Sequence, residues 1–411
     1  MNQRIIHITA FIVLCCAVCF AQHNNDPVAR ALGGLRGHVL VAADAEYPKN
    51  GEGSTIKLKD GALLHLVSRH QRDAKESNSD LWPSVIAQTV SRDGGVTWSK
   101  PEVLFRSTTG RNAMQPSLVR LPNGALGVSY SQIDSEARAN KVFRISTDEG
   151  RSWSEPRFIS PTDGYWTSAH DRLTVLSTGR VIHPLHVKVS VKPRKMVARI
   201  AYSDDNGQTW RIAPQTLAVE EVLPAFKEKF PGSYISVFAE LTIVERADKS
   251  LLMYGRTLAG RQWQCVSTDG GATWTQPAPS PLISAAAPAR LHRIPNSNDL
   301  LVVWNSCCLD PQANGLLGQR LTLSSAISTD GGQTWRWQRE IESITPGPEN
   351  RVEYPAITIE DGKVYLSYRA MAAQDGGGFT MHEYISVLPL AWFYAERDRH
   401  RPEAALGKTK P

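Results

Sequence analysis

Apolar residues in this chain come in short, β-rich runs, each opened by a polar turn. The runs are DGALLHLVSRH (60–70), NGALGVSYSQ (123–132), TGRVIHPLHV (178–187), KSLLMYGRT (249–257), NDLLVVWNS (298–306) and DGKVYLSYRA (361–370). Short apolar segments bounded by Asn, Asp, Gly and Lys predict strands joined by hairpin turns. One stretch breaks the pattern: VEEVLPAFKEKF (219–230) reads as a helical interruption.

An eight-residue phrase recurs between the runs. SRDGGVTW (91–98), STDEGRSW (146–153), SDDNGQTW (203–210), STDGGATW (267–274) and STDGGQTW (328–335) share the form Ser-x-Asp-x-Gly-x-Thr/Ser-Trp, with starts 55, 57, 64 and 61 residues apart. Asp and Ser bond nearby backbone N–H groups, and Gly supplies the positive φ of a tight turn. The Trp packs between neighbouring layers. Each copy therefore predicts a hairpin turn with its own anchor, and the five aspartates are scaffold rather than calcium ligands or catalytic acids. Six runs against five boxes, in units of about 60 residues, predict an all-β, six-bladed β-propeller of four-stranded antiparallel blades over residues 37–395. The helical interruption falls in the longest spacing. Closure is expected to pair GHVLVAA (37–43) with EYISVLPLAW (383–392), which removes an open sheet edge.

Composition narrows the setting. Hydrophobic content of 41% with 21% charged residues is that of a soluble globular protein. The formal charge of +6 is not gathered into a basic run, which argues against a nucleic-acid partner. Residues 1–21 carry Arg4, an apolar run and a small Ala21, the pattern of a secretory signal peptide. The run is too short to span a bilayer, so a secreted or periplasmic protein with no stable membrane span after cleavage is expected. Residues 22–36 read as a linker and 396–411 as a charged tail. Cys15, Cys16 and Cys19 leave with the signal, and Cys265, Cys307 and Cys308 make no disulfide framework. No CxxC pair supports zinc, and His183 and His186 fall on opposite faces of a strand. No metal and no cofactor are expected, and the chain is read as a monomer.

The boxes and strands resemble the sialidase (neuraminidase) superfamily, whose fold is a six-bladed β-propeller. That resemblance implies a glycan substrate and removal of a terminal sialic acid or related acidic sugar with retained configuration. It also implies a tyrosine nucleophile, a departure from the usual two-carboxylate scheme of glycoside hydrolysis. The sugar bears a carboxylate on its anomeric carbon, so a neutral phenol avoids the repulsion an anionic nucleophile would meet. A phenol near pKa 10 needs a base beside it.

The resemblance carries over residue by residue. RVEYPAITIEDGKVYLSY places Tyr354 at a strand start as nucleophile, and FAELTIVERADKSLLMYGRT places Glu240 as its base and Arg256 as a carboxylate-binding arginine. GQRLTLSSAISTDGGQTW supplies Arg320 as a second such arginine. SNSDLWPSVIAQTVSRDGG places Asp80 as acid/base, with Asp73 as the alternative. Arg69 in LVSRH and Arg172 in SAHDRLTV, beside His170 and Asp171, are expected to line the same pocket; a local ion-pair network is the other reading of the latter. The family's first arginine has no counterpart: its slot falls at Gly51, followed by Glu52, with Lys49 nearby as a point charge in place of a fork. That departure leaves two alternatives open, a hydrolase for a different sugar and a propeller that binds glycans without turnover.

Overall fold

The structure, a computed structural model, describes residues 32–108, 111–229, 231–306, 319–347, 349–374 and 377–395. The expected signal peptide, the linker up to residue 31, Cys307, Cys308 and the charged tail lie outside the described residues. A short strand β1 (His38–Val41) precedes a series of antiparallel units. Unit one holds β2 (Lys49–Lys57), β3 (Leu63–His70), β4 (Ser84–Ser91) and β5 (Glu102–Phe105). Unit two holds β6 (Asn112–Arg120), β7 (Leu126–Ile133), β8 (Ala139–Ser146) and β9 (Arg157–Phe158). In unit three the first strand is interrupted: β10 (Tyr165–Thr167) and β11 (Thr174–Val175) both pair with β12 (Val181–Ser190), followed by β13 (Arg194–Ser203) and β14 (Arg211–Ile212).

A helix α1 (Pro224–Lys229) and a strand β15 (Tyr234–Val237), parallel to β13, lead to unit four. That unit holds β16 (Ala239–Glu245), β17 (Leu251–Arg256), β18 (Arg261–Ser267) and β19 (Ala278–Ile283). Unit five holds β20 (Arg290–Arg293), β21 (Leu300–Asn305), β22 (Thr322–Ser328) and β23 (Arg336–Ser343). Unit six holds β24 (Arg351–Glu360), β25 (Lys363–Ala373) and β26 (Phe379–Pro389). Its fourth strand is β1, which pairs His38 with Ile385 and Val39 with Tyr384. The first described strand thus completes the last sheet, as the sequence predicted. The helix is shorter than expected: Val219 and Val222 are buried, and Val222 bridges Leu258, so the β-branched residues before Pro224 run extended.

The apolar runs become the second strands of these units. Every residue of β3, β7 and β21 is buried. Sheets covered on both faces need no polar alternation, and this accounts for continuous runs rather than a period of two. The core is a set of clusters between consecutive units. One joins Leu64, Leu66 and Ile86 to Leu118, Val128 and Tyr130; another joins Ile182 and Ile200 to Leu241 and Met253. A further cluster joins Tyr365 and Ile385 of unit six to Leu63 and Val67 of unit one.

Each box is the turn between the third and fourth strands of its unit. In the last one Ser328 Oγ donates to Asp330 Oδ1 at 2.7 Å, and Gly332 N donates to Ser328 Oγ at 2.7 Å. Thr334 N and Oγ1 donate to the two Asp330 oxygens at 2.9 and 2.5 Å. Gly332 has φ +89°, and a Cβ there would lie 2.5 Å from Leu252 of the preceding unit. The boxes therefore key each unit to the one before it, and a Cβ on Gly95 of the first box would lie 3.2 Å from Tyr365 and Val387 of unit six.

Candidate active site

The first strands of the units carry the site, through one repeated irregularity. Pairing slips between Gly51 and Ser54, Met114 and Ser117, Ala239 and Thr242, and Glu353 and Ala356. At each slip one residue takes a left-handed conformation: Glu52 (φ 60°), Gln115 (62°), Glu240 (50°) and Tyr354 (59°). A bulge of this kind re-aims a side chain at the cost of local strain. All four residues line a single cavity of about 320 Å³, together with Lys49, Asp80, Arg256, Arg320, Glu353 and Arg369.

After three of the four bulges the next residue ties one unit to the following one through a side-chain hydroxyl. Ser54 Oγ accepts from Leu118 N at 3.0 Å, Ser117 Oγ from Arg172 N at 2.7 Å, and Thr242 Oγ1 from Leu291 N at 3.1 Å. Beneath the cavity Asp171 accepts from Ser54 Oγ (3.2 Å), Arg290 Nε (2.7 Å) and Ile357 N (3.1 Å), so four units converge on one buried carboxylate. The bulges are fixed from below by hydrogen bonds that leave their side chains pointing at the cavity.

Tyr354 Oη donates to Glu240 Oε1 at 2.5 Å, across units six and four. Arg256 Nη1 donates to Glu240 Oε2 at 2.8 Å and lies 3.5 Å from Tyr354 Oη. Burial opposes ionisation of Glu240, but the charges of Arg256 and Arg320 outweigh it and hold its carboxyl down at about 2. Burial, and then the Glu240 charge, push the Tyr354 phenol well above its usual range. The resting pair is an ionised carboxylate beside a neutral phenol. Below it His170 Nε2 bonds the Tyr354 carbonyl at 3.1 Å, and His186 Nδ1 accepts from Glu240 N at 3.2 Å, which fixes both backbones.

Arg320 is bound through Nη1 to Glu353 and through Nη2 to Ala286 O at 2.8 Å. A further guanidinium joins it that sequence reasoning missed. Arg369, opposite Glu353 in the β24–β25 register, donates through Nε to Glu353 Oε1 at 2.9 Å and through Nη1 to Glu52 Oε1 at 2.5 Å. Its Cζ lies 3.8 Å over the Tyr354 ring. The space it occupies is the one Gly51 leaves open, for a Cβ on Gly51 would lie 2.8 Å from Arg369 Cδ. The slot that lacks an arginine in unit one is filled by an arginine from unit six. The missing side chain at Gly51 was the available signal; the arginine's origin required the fold.

Asp80 sits on a 3₁₀ turn, Ser79–Leu81, between β3 and β4, and its carboxyl reaches the cavity. Lys49 Nζ donates to Asp80 Oδ1 at 2.6 Å, so Lys49 is bound to the acid rather than free to meet an anion. Asp73 pairs with Arg111 and does not line the cavity. Two expected cavity residues are placed elsewhere. Arg69 donates to Asn50 Oδ1 at 3.0 Å and Asp44 Oδ2 at 2.6 Å and stacks on Tyr47, which uses its guanidinium to pack unit one. Arg172 is fully buried, and burial, followed by the charge of Arg290, pulls it down to about 9. None of its three nitrogens has a hydrogen-bond partner among the described residues. Its neighbour His170 stacks on Tyr354. His183 is buried against Ser129 Oγ, whereas His186 lines the cavity. Among the described residues no group of three His, Cys, Asp or Glu side chains is arranged to hold a metal ion.

A model of the BNR repeat-like domain matches residues 65–366. The chain belongs to the sialidase/BNR-repeat superfamily. Among solved structures, this BNR-repeat chain is similar to a protein of unknown function from Dyadobacter fermentans, with TM-score 0.64 and 19% identity over 87% of this chain and 99% of that one. It is similar to a Hadza microbial sialidase, with TM-score 0.64 and 16% identity over 86% of this chain and 68% of that one. It is also similar to Trypanosoma rangeli sialidase, with TM-score 0.63 and 14% identity over 88% of this chain and 60% of that longer one. A search of curated proteins finds no match. The superfamily's fold is what these likenesses share.

Proposed function

We propose that the antiparallel units wind into a six-bladed β-propeller whose axial cavity is the active site of a retaining exo-α-sialidase. The ring is supported by the clusters between consecutive units and by the cluster and the strand pairing that join unit six to the start of the chain. The observation that carries the enzymatic reading is the 2.5 Å bond from the Tyr354 phenol to Glu240 in a buried site. Glu240 is a weak base held ionised, so the phenol keeps its proton until the bond to the anomeric carbon forms, and proton transfer accompanies attack. Asp80 protonates the leaving oxygen, then takes a proton from the water that frees the sugar. Arg256, Arg320 and Arg369 face the carboxylate that a terminal sialic acid or related acidic sugar bears beside the reacting carbon. Export of the chain through residues 1–21 would place this reaction on glycans outside the cytoplasm.

The test is turnover of an aryl α-sialoside by the purified protein beside Tyr354→Phe. Loss of at least about a thousandfold in kcat with an unchanged melting transition is expected for a missing nucleophile. Equal rates in the two proteins would end the proposal. One observation favours a second reading, a hydrolase for a different sugar: Glu52 and Glu353 already occupy Arg369 and Arg320. A panel of aryl glycosides in the same assay separates the two, since only the second reading expects faster release from a glycoside without the anomeric carboxylate.

A further inference from the structure

The cavity holds a lysine that the proposed cycle does not use. Lys49 opens β2, its side chain is 2% exposed, and its ammonium is coordinated from one side by Ser79 O at 3.0 Å and Ser79 Oγ at 3.2 Å. Its remaining direction points at Asp80 Oδ1, 2.6 Å away, while the aspartate itself is 63% exposed to the cavity mouth. A buried, triply bonded cation thus grips a carboxyl whose own turn is short and open. Asn78 accepts from Asp80 N at 3.1 Å, and Asn112 Nδ2 donates to Asp80 O at 2.6 Å, but these bonds fix the backbone and leave Lys49 as the side-chain partner among the described residues.

We infer that Lys49 is the positioning residue of Asp80, setting both the direction of its carboxyl and its protonation state in the resting pocket. This rests on the sialidase-type cycle proposed above. The other charged and titratable groups facing Asp80 are His70 from β3, Arg369 from β25, Glu52 from β2, Tyr165 from β10 and Lys188 from β12. Lys49 acts on Asp80 more strongly than any of these, and its charge holds the carboxyl well below the usual carboxylate range. His70, beside Lys49, stays neutral because burial and then the like charge of Lys49 both disfavour its protonation. Removing Lys49 takes away the strongest charge that favours the ionised carboxyl, so the aspartate drifts upward.

The consequence is specific. Asp80 stands in the free site as a base, and the protonated form that assists a leaving group is scarce at neutral pH. Transfer of the sugar to Tyr354 from substrates whose leaving oxygen needs a proton should then fall off with rising pH, while substrates with a good leaving group should not follow that dependence. A purely structural lysine would change both substrates alike.

The experiment compares wild type, Lys49→Met and Lys49→Arg on two α-sialosides, a nitrophenyl glycoside and an alkyl glycoside. Alongside, the Asp80 carboxyl carbon is titrated by NMR in ¹³C-labelled protein, assigned with Asp80→Asn. In Lys49→Met the Asp80 titration and the alkaline limb of kcat/KM for the alkyl glycoside are expected to move up by about 1–3 pH units. The nitrophenyl profile should keep its shape, and Lys49→Arg should restore the low titration. An Asp80 titration unmoved in Lys49→Met overturns the inference, whatever the activity. If neither glycoside turns over in wild type, the sialidase reading fails, and the carboxyl titration still decides what Lys49 does.

Discussion

Tyr354, Glu240 and Arg369 show how much of this site depends on where individual side chains are aimed. A left-handed Tyr or Glu within a strand is costly, of order 1–3 kcal/mol each, and persists only where the surroundings over-determine it. Here the neighbouring hydroxyls of Ser54, Ser117 and Thr242 and the Asp171 carboxylate do so. Gly51, whose missing side chain leaves the space that Arg369 fills, is the sharpest case. Gly51→Ala puts a Cβ against Arg369 Cδ and should cost about 1–3 kcal/mol in urea unfolding, with Arg369 displaced. Arg369→Met should raise KM for an acidic substrate about 10–100-fold, the worth of a charged hydrogen bond, with a smaller change in kcat. A variant whose KM is unchanged would show that Arg369 only braces Glu52 and Glu353.

At the scale of elements the Asp boxes do one job five times. Asp330 accepts from Ser328 Oγ, Gln333 N, Thr334 N and Thr334 Oγ1, which closes a turn that has no helix or sheet partner of its own. No residue of that box lines the cavity. Asp330→Ala should therefore lower the free energy of unfolding by about 1–3 kcal/mol, read from the urea midpoint, while leaving kcat as it was. A loss of activity at full stability would assign the boxes a role beyond scaffold. The second strands obey a different rule from the first strands: buried on both faces, they read in the sequence as apolar runs, whereas β2, β6, β16 and β24 carry the polar bulges.

The molecule buries a set of ionisable groups within and between its units. Burial holds His65 at about 3 and His186 at about 4, and lowers His70, His170 and His183 well below their ordinary value. These histidines are neutral when folded and take up protons when unfolded below about pH 6.5. Their contribution to stability is complete above that pH and is lost as pH falls through 4 towards 3, so the melting temperature should drop steeply on acidification. Glu383 has the opposite sign. Buried 3.7 Å from His65 Nε2, its carboxyl is pushed up to about 8 by burial. It stabilises below its unfolded value near 4.5 and loses that contribution as pH rises to about 8. The stability difference between Glu383→Gln and wild type should therefore grow in favour of the variant from pH 5 to pH 8. Thermal scans of both proteins across that range give the slope, and a flat difference would place the Glu383 titration elsewhere.

The sequence by itself determined the local structure: five turns built by short-range Ser–Asp–Gly–Thr bonding, six buried second strands, and the pairing of residues 37–43 with the final strand. These follow from interactions within a few residues or from strong apolar patterning, and they are written in the residues that make them. Tyr354, Glu240, Asp80, Arg256 and Arg320 were also legible, because the resemblance fixed their order along the chain. Their meeting in one cavity, though, is a property of four units, one, four, five and six, brought together. Tertiary structure alone decided the rest. Arg69 turned to Asn50 and Asp44, Arg172 was buried beneath the site, Lys49 was taken by Asp80, and Arg369 entered the space of Gly51. Arg172 was settled by burial alone, without a hydrogen-bond partner among the described residues; each of the other outcomes turns on a distant partner competing for a charged group, and a linear pattern of polar and apolar residues carries no record of which partner wins.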